Sequence, residues 1–385
     1  MADLNDTPRG TRVHIAFFGL RNAGKSTLVN AFTGQPIAIV SDVPGTTTDP
    51  VSKAMEILPL GPCLITDTAG LDDVGALGQM RVEKTLKVLE TTDVAVWVSD
   101  GMQGMADSAP CQAFRRACAA LKVTVLEFRR GDSIEGLKRK VAAVKMEDEP
   151  PALLEGLVGR GDRVLCVVPI DESAPKGRLI LPEQQVIRDC LDRGAPVTVC
   201  QPEALSDGTV DLAPFRLVVA DSQAFGEVRQ AFLSFRRSRP SVSAEPRLTS
   251  FSILFARQKG DLGEYVKGLA ALSSLKDGDT VLIAEGCTHH RQCNDIGTVK
   301  LPKAVCKLTG KDLSFAFAAG GAFWEEGART TFARPALVIH CGGCMLTRRE
   351  VLRRIGVARA AGIPIVNYGM VLAAANGLKV EDVLA

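Results

Sequence analysis

The run Val13-His14-Ile15-Ala16-Phe17-Phe18 passes without a break into Gly19-Leu20-Arg21-Asn22-Ala23-Gly24-Lys25-Ser26, and Thr27-Leu28-Val29-Asn30-Ala31-Phe32 follows with helical character. This stretch limits the fold more than any other. A strand feeding a glycine-rich loop that opens a helix is the first unit of an α/β sheet. The loop has the form G-x-x-x-x-G-K-S. Its glycines let backbone N–H groups turn inward around phosphate oxygens, and the helix N-terminus adds partial positive charge. On this reading Gly19, Asn22, Ala23, Gly24, Lys25, Ser26 and Thr27 line a nucleotide site. Lys25 would reach the β- and γ-phosphates, and the Ser26 hydroxyl would ligate Mg²⁺.

Two further stretches sharpen the reading. Asp67-Thr68-Ala69-Gly70 follows the apolar run Cys63-Leu64-Ile65-Thr66, which sets a carboxylate near Mg²⁺ and the Gly70 amide near a γ-phosphate. Between the two motifs, Val43-Pro44-Gly45-Thr46-Thr47-Thr48-Asp49 is rich in hydroxyls, as segments that order on a triphosphate are. G-x-x-x-x-G-K-S, G-T-T-T-D and D-T-A-G together resemble the translation-factor-related, TrmE/Era-type GTPases with a Ras-like fold, and most of all the group activated by potassium. The resemblance implies that Thr47 is the switch threonine on Mg²⁺ and that Asn22 helps hold K⁺. Leu71 stands where small GTPases carry a glutamine that orients water, so a cation beside Asn22 could neutralise charge without an arginine finger. The alternative for Asn22 is stabilisation of its own turn. After Val123-Thr124-Val125-Leu126-Glu127-Phe128, the expected N-K-x-D is replaced by Arg129-Arg130-Gly131-Asp132. Asp132 remains to read guanine and Arg130 could stack on the base, while ATP stays open as the alternative nucleotide.

A chain of 385 residues is ample for three domains, and 46% apolar with 23% charged residues is ordinary for a soluble globular protein. After a polar tail over residues 1–10, the P-loop domain is expected over 11–148. The acidic, proline-bearing Met146-Glu147-Asp148-Glu149-Pro150-Pro151 marks a break. A middle β-α-β-β-α domain over 152–238 has no pocket motif and suits subunit association. A second linker ends before a third domain over 248–385. That domain is read as a strand near Phe251 to Phe255, a helix from 262, and strands at 281–284, 336–339 and 363–367 separated by a long irregular stretch and helices. Such alternation argues for a parallel sheet. A formal charge of +2 gives no case for nucleic acid or an anionic membrane. Eleven scattered cysteines do not form a disulfide framework, and no run of 18 apolar residues occurs. The expectation is a cytoplasmic protein in a reducing compartment.

In the third domain two apolar runs each stop at soft metal ligands. Val281-Leu282-Ile283-Ala284 precedes Cys287-Thr288-His289, and Ala336-Leu337-Val338-Ile339 precedes His340-Cys341-Gly342-Gly343-Cys344. Binding sites in open α/β sheets collect beyond the carboxyl ends of the strands. Neighbouring strands would therefore bring three thiolates and two imidazoles together. Three cysteines hold three corners of a 4Fe–4S cube; zinc would accept the same residues as Cys3His or Cys2His2. His289 and His340 are alternatives for the fourth contact or for hydrogen bonding behind the thiolates. His290 and Cys293 lie close by, and the other cysteines read as core residues.

With C-x-H, a long spacer and H-C-x-x-C in view, the chain resembles the FeFe-hydrogenase H-cluster maturation GTPase family along nearly its whole length. Val168-Pro169-Ile170-Asp171, Ala174-Pro175-Lys176-Gly177-Arg178, Leu254-Phe255-Ala256-Arg257 and Asp295-Ile296-Gly297 share in that resemblance. It implies three α/β domains: a GTPase, a dimerisation domain that makes a homodimer, and an iron–sulfur domain with a parallel sheet. It further implies a 4Fe–4S cluster on Cys287, Cys341 and Cys344 and a role as scaffold for a transient two-iron subcluster. The partners it implies are the FeFe-hydrogenase apoprotein and two radical-SAM maturases. The rival reading from the residues is an RNA- or ribosome-associated GTPase with a zinc-binding tail, which calls for a basic face.

Overall fold

The computed structural model describes residues 7, 9–36, 50–73, 75–100, 108–144, 150–170, 179–239, 246–286, 295–320, 323 and 334–379. The chain divides into two compact units, Met1–Glu149 and Pro150–Ala385.

The first unit carries β1 (Val13–Gly19), α1 (Lys25–Thr33), β2 (Val51–Ile57), β3 (Gly61–Asp67), α2 (Gly75–Val88), β4 (Val94–Ser99), α3 (Ala109–Ala120), β5 (Thr124–Arg129) and α4 (Ile134–Ala142). Its sheet runs β2-β3-β1-β4-β5, parallel except for the edge strand β2. This is a P-loop GTPase fold. Strand β1 is buried almost throughout, with Ile15 and Phe17 in the apolar layer under α1 and α4 and Ala16 and Phe18 in the opposite one with α3. Burial on both faces explains its unbroken apolar run. The central position of β1 delivers its carboxyl end, and the loop after it, to the middle of the sheet edge where β3 also ends.

The second unit holds two four-stranded sheets. The first comprises β6 (Val164–Val167), α5 (Leu181–Arg193), β7 (Val197–Cys200), α6 (Glu203–Ser206), β8 (Leu217–Ala220), α7 (Phe225–Ser238), β9 (Arg247–Ser250) and α8 (Phe251–Lys259). Its order is β7-β6-β8-β9, all parallel. The second comprises α9 (Leu262–Ala271), β10 (Thr280–Ala284), α10 (Leu301–Thr309), β11 (Ser314–Ala318), β12 (Leu337–His340), α11 (Arg348–Ala360), β13 (Ile365–Asn367) and α12 (Tyr368–Ala375). Its order is β11-β10-β12-β13, again all parallel. Three α/β regions therefore stand in two units. One apolar cluster runs from Leu165 and Val218 in the first of these sheets to Ile283 and Ile339 in the second.

Two sequence expectations need correction. The strand expected near Phe251 to Phe255 is the helix α8, and the strand, β9, lies just before it and completes the middle sheet. A short apolar run fits a buried strand or a buried helix equally well. Here the Ser250 hydroxyl accepts from the Ile253 amide at 3.2 Å, an N-cap that starts a helix. The stretch expected to be irregular after Cys287 contains α10 and β11. Its signals were Pro302 in the first turn of α10, Gly310 at φ 66° just past its end, and the alternating Ser314-Phe315-Ala316-Phe317-Ala318.

Helix α9 lies on the second sheet at Gly268, where a Cβ would run into the Ile365 carbonyl and stand 3.0 Å from the Val366 amide. Gly268→Ala must push the helix off the sheet, and overpacking of this kind costs about 1–3 kcal/mol. The expected result is an earlier denaturant midpoint for the second unit with an unchanged transition for the first. A midpoint equal to the parent's would contradict the packing described.

Candidate functional site

At the carboxyl end of β1 the chain bends at Asn22, whose φ of 58° is left-handed, and again at Gly24 at φ 88° before α1 begins. Asparagine tolerates that conformation better than most residues, so Asn22 has a local reason to be there as well as an exposed position. Lys25 is buried and folds back on its own loop, donating to the Leu20 carbonyl at 2.8 Å and the Gly19 carbonyl at 3.3 Å. Burial lowers its pKa, opposed by the charges of Asp67 and Asp72. The Ser26 hydroxyl donates to Asp67 Oδ2 at 2.6 Å. The Asp67 carboxylate is fully buried and raised in pKa by that burial, against the pull of Ser26 and Lys25; its Oδ1 has no hydrogen-bond partner. A buried carboxylate oxygen without a donor, beside a serine hydroxyl, is the donor set of a hard divalent cation such as Mg²⁺.

The segment after Asp67 lies along the loop. The Thr68 hydroxyl donates to the Phe17 carbonyl at 2.7 Å, and the Leu71 amide to the Gly19 carbonyl at 3.2 Å. At Gly70 a Cβ would stand 2.9 Å from the Arg21 backbone nitrogen, so only glycine allows this approach. The sequence reading missed how Arg21 is used. Its amide donates to Asp72 at 2.6 Å, and its guanidinium reaches Asp73 at 3.5 Å, which also pairs with Arg81 on α2 at 3.0 Å. Asp132 is exposed and accepts from the Arg129 amide at 2.9 Å, closing the turn after β5. Thr47 lies outside the described residues.

In the second unit, β10 and β12 are neighbours, with Ala284 opposite His340. Cys341 and Cys344 are partly exposed beyond the end of β12, and Gly343 turns the chain between them at φ 65°. The Gly286 amide, one residue before Cys287, donates to the Cys341 sulfur at 3.1 Å. Cys287 and His289 lie outside the described residues, as do His290, Cys293 and Asn294. Among the described residues no group of three or more His, Cys, Asp or Glu side chains is gathered as a metal site. Two thiols on a glycine turn, with a backbone N–H directed at one sulfur, suit a thiolate-held metal centre. Asp295 caps the turn that follows, accepting from the Thr298 amide at 2.9 Å and hydroxyl at 2.8 Å. Cys63 and Cys190 behave as core residues: burial pushes both thiols up to about 11.

His340 is fully buried, and both ring nitrogens are engaged. Nδ1 donates to the Cys341 carbonyl at 2.7 Å, while Nε2 faces the Arg354 guanidinium at 3.4 Å. Burial and then the Arg354 charge hold the ring well below its ordinary value, at about 4, so it is neutral. Arg354, itself fully buried, also donates to Glu350 at 2.7 Å and to the Gly320 carbonyl at 2.7 Å, and lies over the Phe323 ring. Burial raises the Glu350 carboxyl, but hydrogen bonds from Arg353 and Arg354 outweigh it and leave the group below its usual range. The signal for this network was in the sequence: Glu350 and Arg354 fall in phase with Val351, Ile355 and Ala358 on the buried face of α11. Lys259, also missed, ends α8 beneath the cysteine turn. Its ammonium donates to the carbonyls of Gly343, Cys344 and Leu346 at 3.1, 3.2 and 3.0 Å. Burial lowers it to about 8, against the charges of Cys344 and Cys341.

Comparison with known proteins follows these divisions. Residues 263–384 match the family described as hydrogen maturase F tetramerization domain, and residues 153–260 the hydrogen maturase F dimerization domain. Residues 14–128 match the 50S ribosome-binding GTPase family. GTPase Der of Xylella fastidiosa strain 9a5c is 44% identical over 137 residues, 34% of this chain and 29% of that protein. The tRNA modification GTPase MnmE of Synechococcus sp. strain JA-3-3Ab is 37% identical over 130 residues, 32% of this chain and 28% of that protein. The chain thus spans under a third of the length of these relatives. A solved structure of Era with MgGDPNP and 16S ribosomal RNA nucleotides aligns at 18% identity over 49% of this chain and 91% of that one, with a TM-score of 0.27.

Asp67→Asn keeps an oxygen to accept from Ser26 and removes a buried charge. Because burial raises the folded pKa, the ionised carboxylate penalises the folded first unit at neutral pH. That penalty fades as pH falls through the folded value and is gone below the unfolded value of 3.8. Without nucleotide, the variant is expected to melt above the parent at pH 7, with the gap closing toward about pH 4. A lower melting temperature at pH 7 would overturn the assignment of a penalised carboxylate.

Proposed function

This chain belongs to the hydrogen maturase F family, and we propose that it is a GTP-hydrolysing scaffold for FeFe-hydrogenase maturation that holds a 4Fe–4S cluster on Cys287, Cys341 and Cys344. Its cargo is a two-iron subcluster, received through two radical-SAM maturases and handed to the apo hydrogenase. The observation that carries the reading is the 3.1 Å bond from the Gly286 amide to the Cys341 sulfur. It brings Gly286, the residue before Cys287, against the first thiol of the C-x-x-C pair, which supports a three-thiolate site. The family matches over 153–260 and 263–384 favour this reading over a ribosome-associated GTPase with a zinc tail. The names of those two families also support self-association, with a homodimer formed through the middle region.

When bound, a cluster held by three thiolates offers one iron corner for a labile attachment. His340 serves behind the thiolates rather than on the iron, because Arg354 and the Cys341 carbonyl occupy its two nitrogens. His289 is then the imidazole left for the fourth contact.

In the GTPase unit, Lys25 exchanges its bonds to Leu20 and Gly19 for the β- and γ-phosphates, which restores full charge pairing to a buried ammonium. Ser26 and Asp67 Oδ1 support Mg²⁺, with Thr47 completing the set, and Gly70 offers its amide to the γ-phosphate. Asn22 would hold K⁺, whose charge would stand in for the water-orienting glutamine that is absent after Gly70. Asp132 reads guanine once nucleotide draws it from the Arg129 amide. Hydrolysis acts as a timer for partner exchange, separate from the metal chemistry.

Anaerobic reconstitution with iron and sulfide, followed by metal analysis and EPR, tests the scaffold. Serine at 287, 341 or 344 is expected to cut bound iron at least several-fold while GTP turnover persists; preferential zinc uptake by the parent would refute it. Lys25→Ala should retain iron and lose GTP hydrolysis. Asn22→Ala should lose potassium stimulation while still binding GTP, and stimulation equal to the parent's would leave Asn22 a turn residue only.

A further inference from the structure

We infer that Lys259 is a positioning residue for the cysteine turn: from the last turn of α8 its ammonium fixes residues 343–346 and supplies the positive charge beneath the thiolates of Cys341 and Cys344. The inference deepens the cluster assignment above and rests on it.

The position of the side chain follows from how α8 is packed. Phe251, Leu254 and Phe255 enter the apolar layer of the middle sheet, while Ile253 and Ala256 enter the core shared with the second sheet. A helix gripped on two sides has little freedom to shift, so the residue at its end is delivered to a fixed point. That residue is Lys259, 5% exposed, whose charge would be costly there without hydrogen bonds. An ammonium has three donors in tetrahedral array, and three carbonyls of one short turn converge on it, from Gly343, Cys344 and Leu346. The turn is closed on its own side by the Leu346 amide donating to the Gly343 carbonyl at 3.0 Å.

Two consequences follow. Peptide planarity turns the N–H groups of Cys344, Met345 and Thr347 away from the ammonium, so Lys259 sets the orientation of the amides as well as the path of the chain. A unit positive charge under two thiolates also stabilises added negative charge, which raises the reduction potential of a cluster held there. The brace crosses a family boundary as well. Lys259 lies in the stretch matched by the dimerization family, and the turn it holds lies in the tetramerization family. Arg348, at the start of α11, donates back to the Gln258 carbonyl and ties the same two elements. A displacement of α8 within the middle region therefore reaches the cysteines through these bonds.

The test uses the full chain, reconstituted anaerobically with iron and sulfide, as parent, Lys259→Met and Lys259→Arg. Readouts are iron per chain, the midpoint potential by EPR-monitored titration, and the rate of iron loss to a chelator. Lys259→Met is expected to shift the midpoint to more negative potential and to speed iron loss at least several-fold. Lys259→Arg keeps the charge but has no single nitrogen with three donors to reach the three carbonyls, so its midpoint should stay near the parent's while iron loss still accelerates. A purely structural brace would lower thermal stability in both variants and leave the midpoint unmoved, which would overturn the electrostatic role. Should Lys259→Met fail to fold, Lys259→Arg losing iron at the parent rate overturns the positioning role. A parent that takes up no iron refutes the cluster assignment itself, whereas a loaded parent matched by Lys259→Met refutes this inference alone.

Discussion

The parallel pairing of β10 with β12 is the constraint on which the second unit's chemistry depends. Val281, Leu282 and Ile283 on one strand and Leu337, Val338 and Ile339 on the other are almost wholly buried, so both faces of the pair are fixed by packing. A slip of one residue would reverse which side chains meet which layer. It would also carry His340 away from Arg354 and Phe323, stranding a buried guanidinium that relies on Glu350, Gly320 and the imidazole together. The apolar run sets the register within a wide basin, and the buried charges select one state within it. With that register fixed, the chain beyond Ala284 meets the chain beyond His340, and the Gly286 amide finds the Cys341 sulfur.

The two units solve one problem in two ways. Lys25 and Lys259 are both buried, and both direct their ammonium groups at the backbone carbonyls of a glycine-containing loop. For Lys25 the loop is its own, and the carbonyls of Gly19 and Leu20 are replaceable by phosphate oxygens that carry more charge. For Lys259 the loop comes from far along the chain, and three of its carbonyls accept from the one ammonium. The first arrangement suits exchange with a ligand, whereas the second ties two distant segments together. Electrostatics alone do not separate them, since burial lowers the pKa of each; the number and origin of the acceptors does.

Much of this was legible in the chain. The strand–loop–helix around Gly19 to Ser26 marked the first unit as an α/β sheet, and β1 lies there between two parallel neighbours, β3 and β4. The pairs of apolar run and soft ligand at Cys287 and Cys341 pointed to adjacent strands, and β10 and β12 are adjacent. The failures share a cause: local sequence does not say what covers a residue. Phe251, Ile253, Leu254 and Phe255 are divided between two cores that meet on this helix, which hides helical periodicity. Nothing near Lys259 in sequence marks it as buried, and only the fold shows that the acceptors for it and for Arg354 arrive from residues 343–346 and from Gly320. Sequence left His340 open between the fourth contact and hydrogen bonding behind the thiolates, and its burial against Arg354 is visible only in the fold.

The contact between Gly70 and Arg21 bears on how a phosphate would be felt beyond its own site. Because no side chain fits at Gly70, the D-T-A-G segment cannot move toward the loop, and Asp72 holds the Arg21 amide on the same side. Motion on meeting a γ-phosphate is therefore restricted to directions that stretch the Arg21–Asp72 and Arg21–Asp73 contacts. Asp73 is in turn pinned between Arg21 and Arg81, and Gly78 packs against its backbone, where a Cβ would stand 2.8 Å from the Asp73 carbonyl carbon. The start of α2 must follow Asp73, since the alternative leaves a largely buried carboxylate without either arginine. Among the described residues the ties from the P-loop to α2 thus run through charges, from Arg21 to Asp73 and from Asp73 to Arg81, on residues that no nucleotide-binding motif would have named.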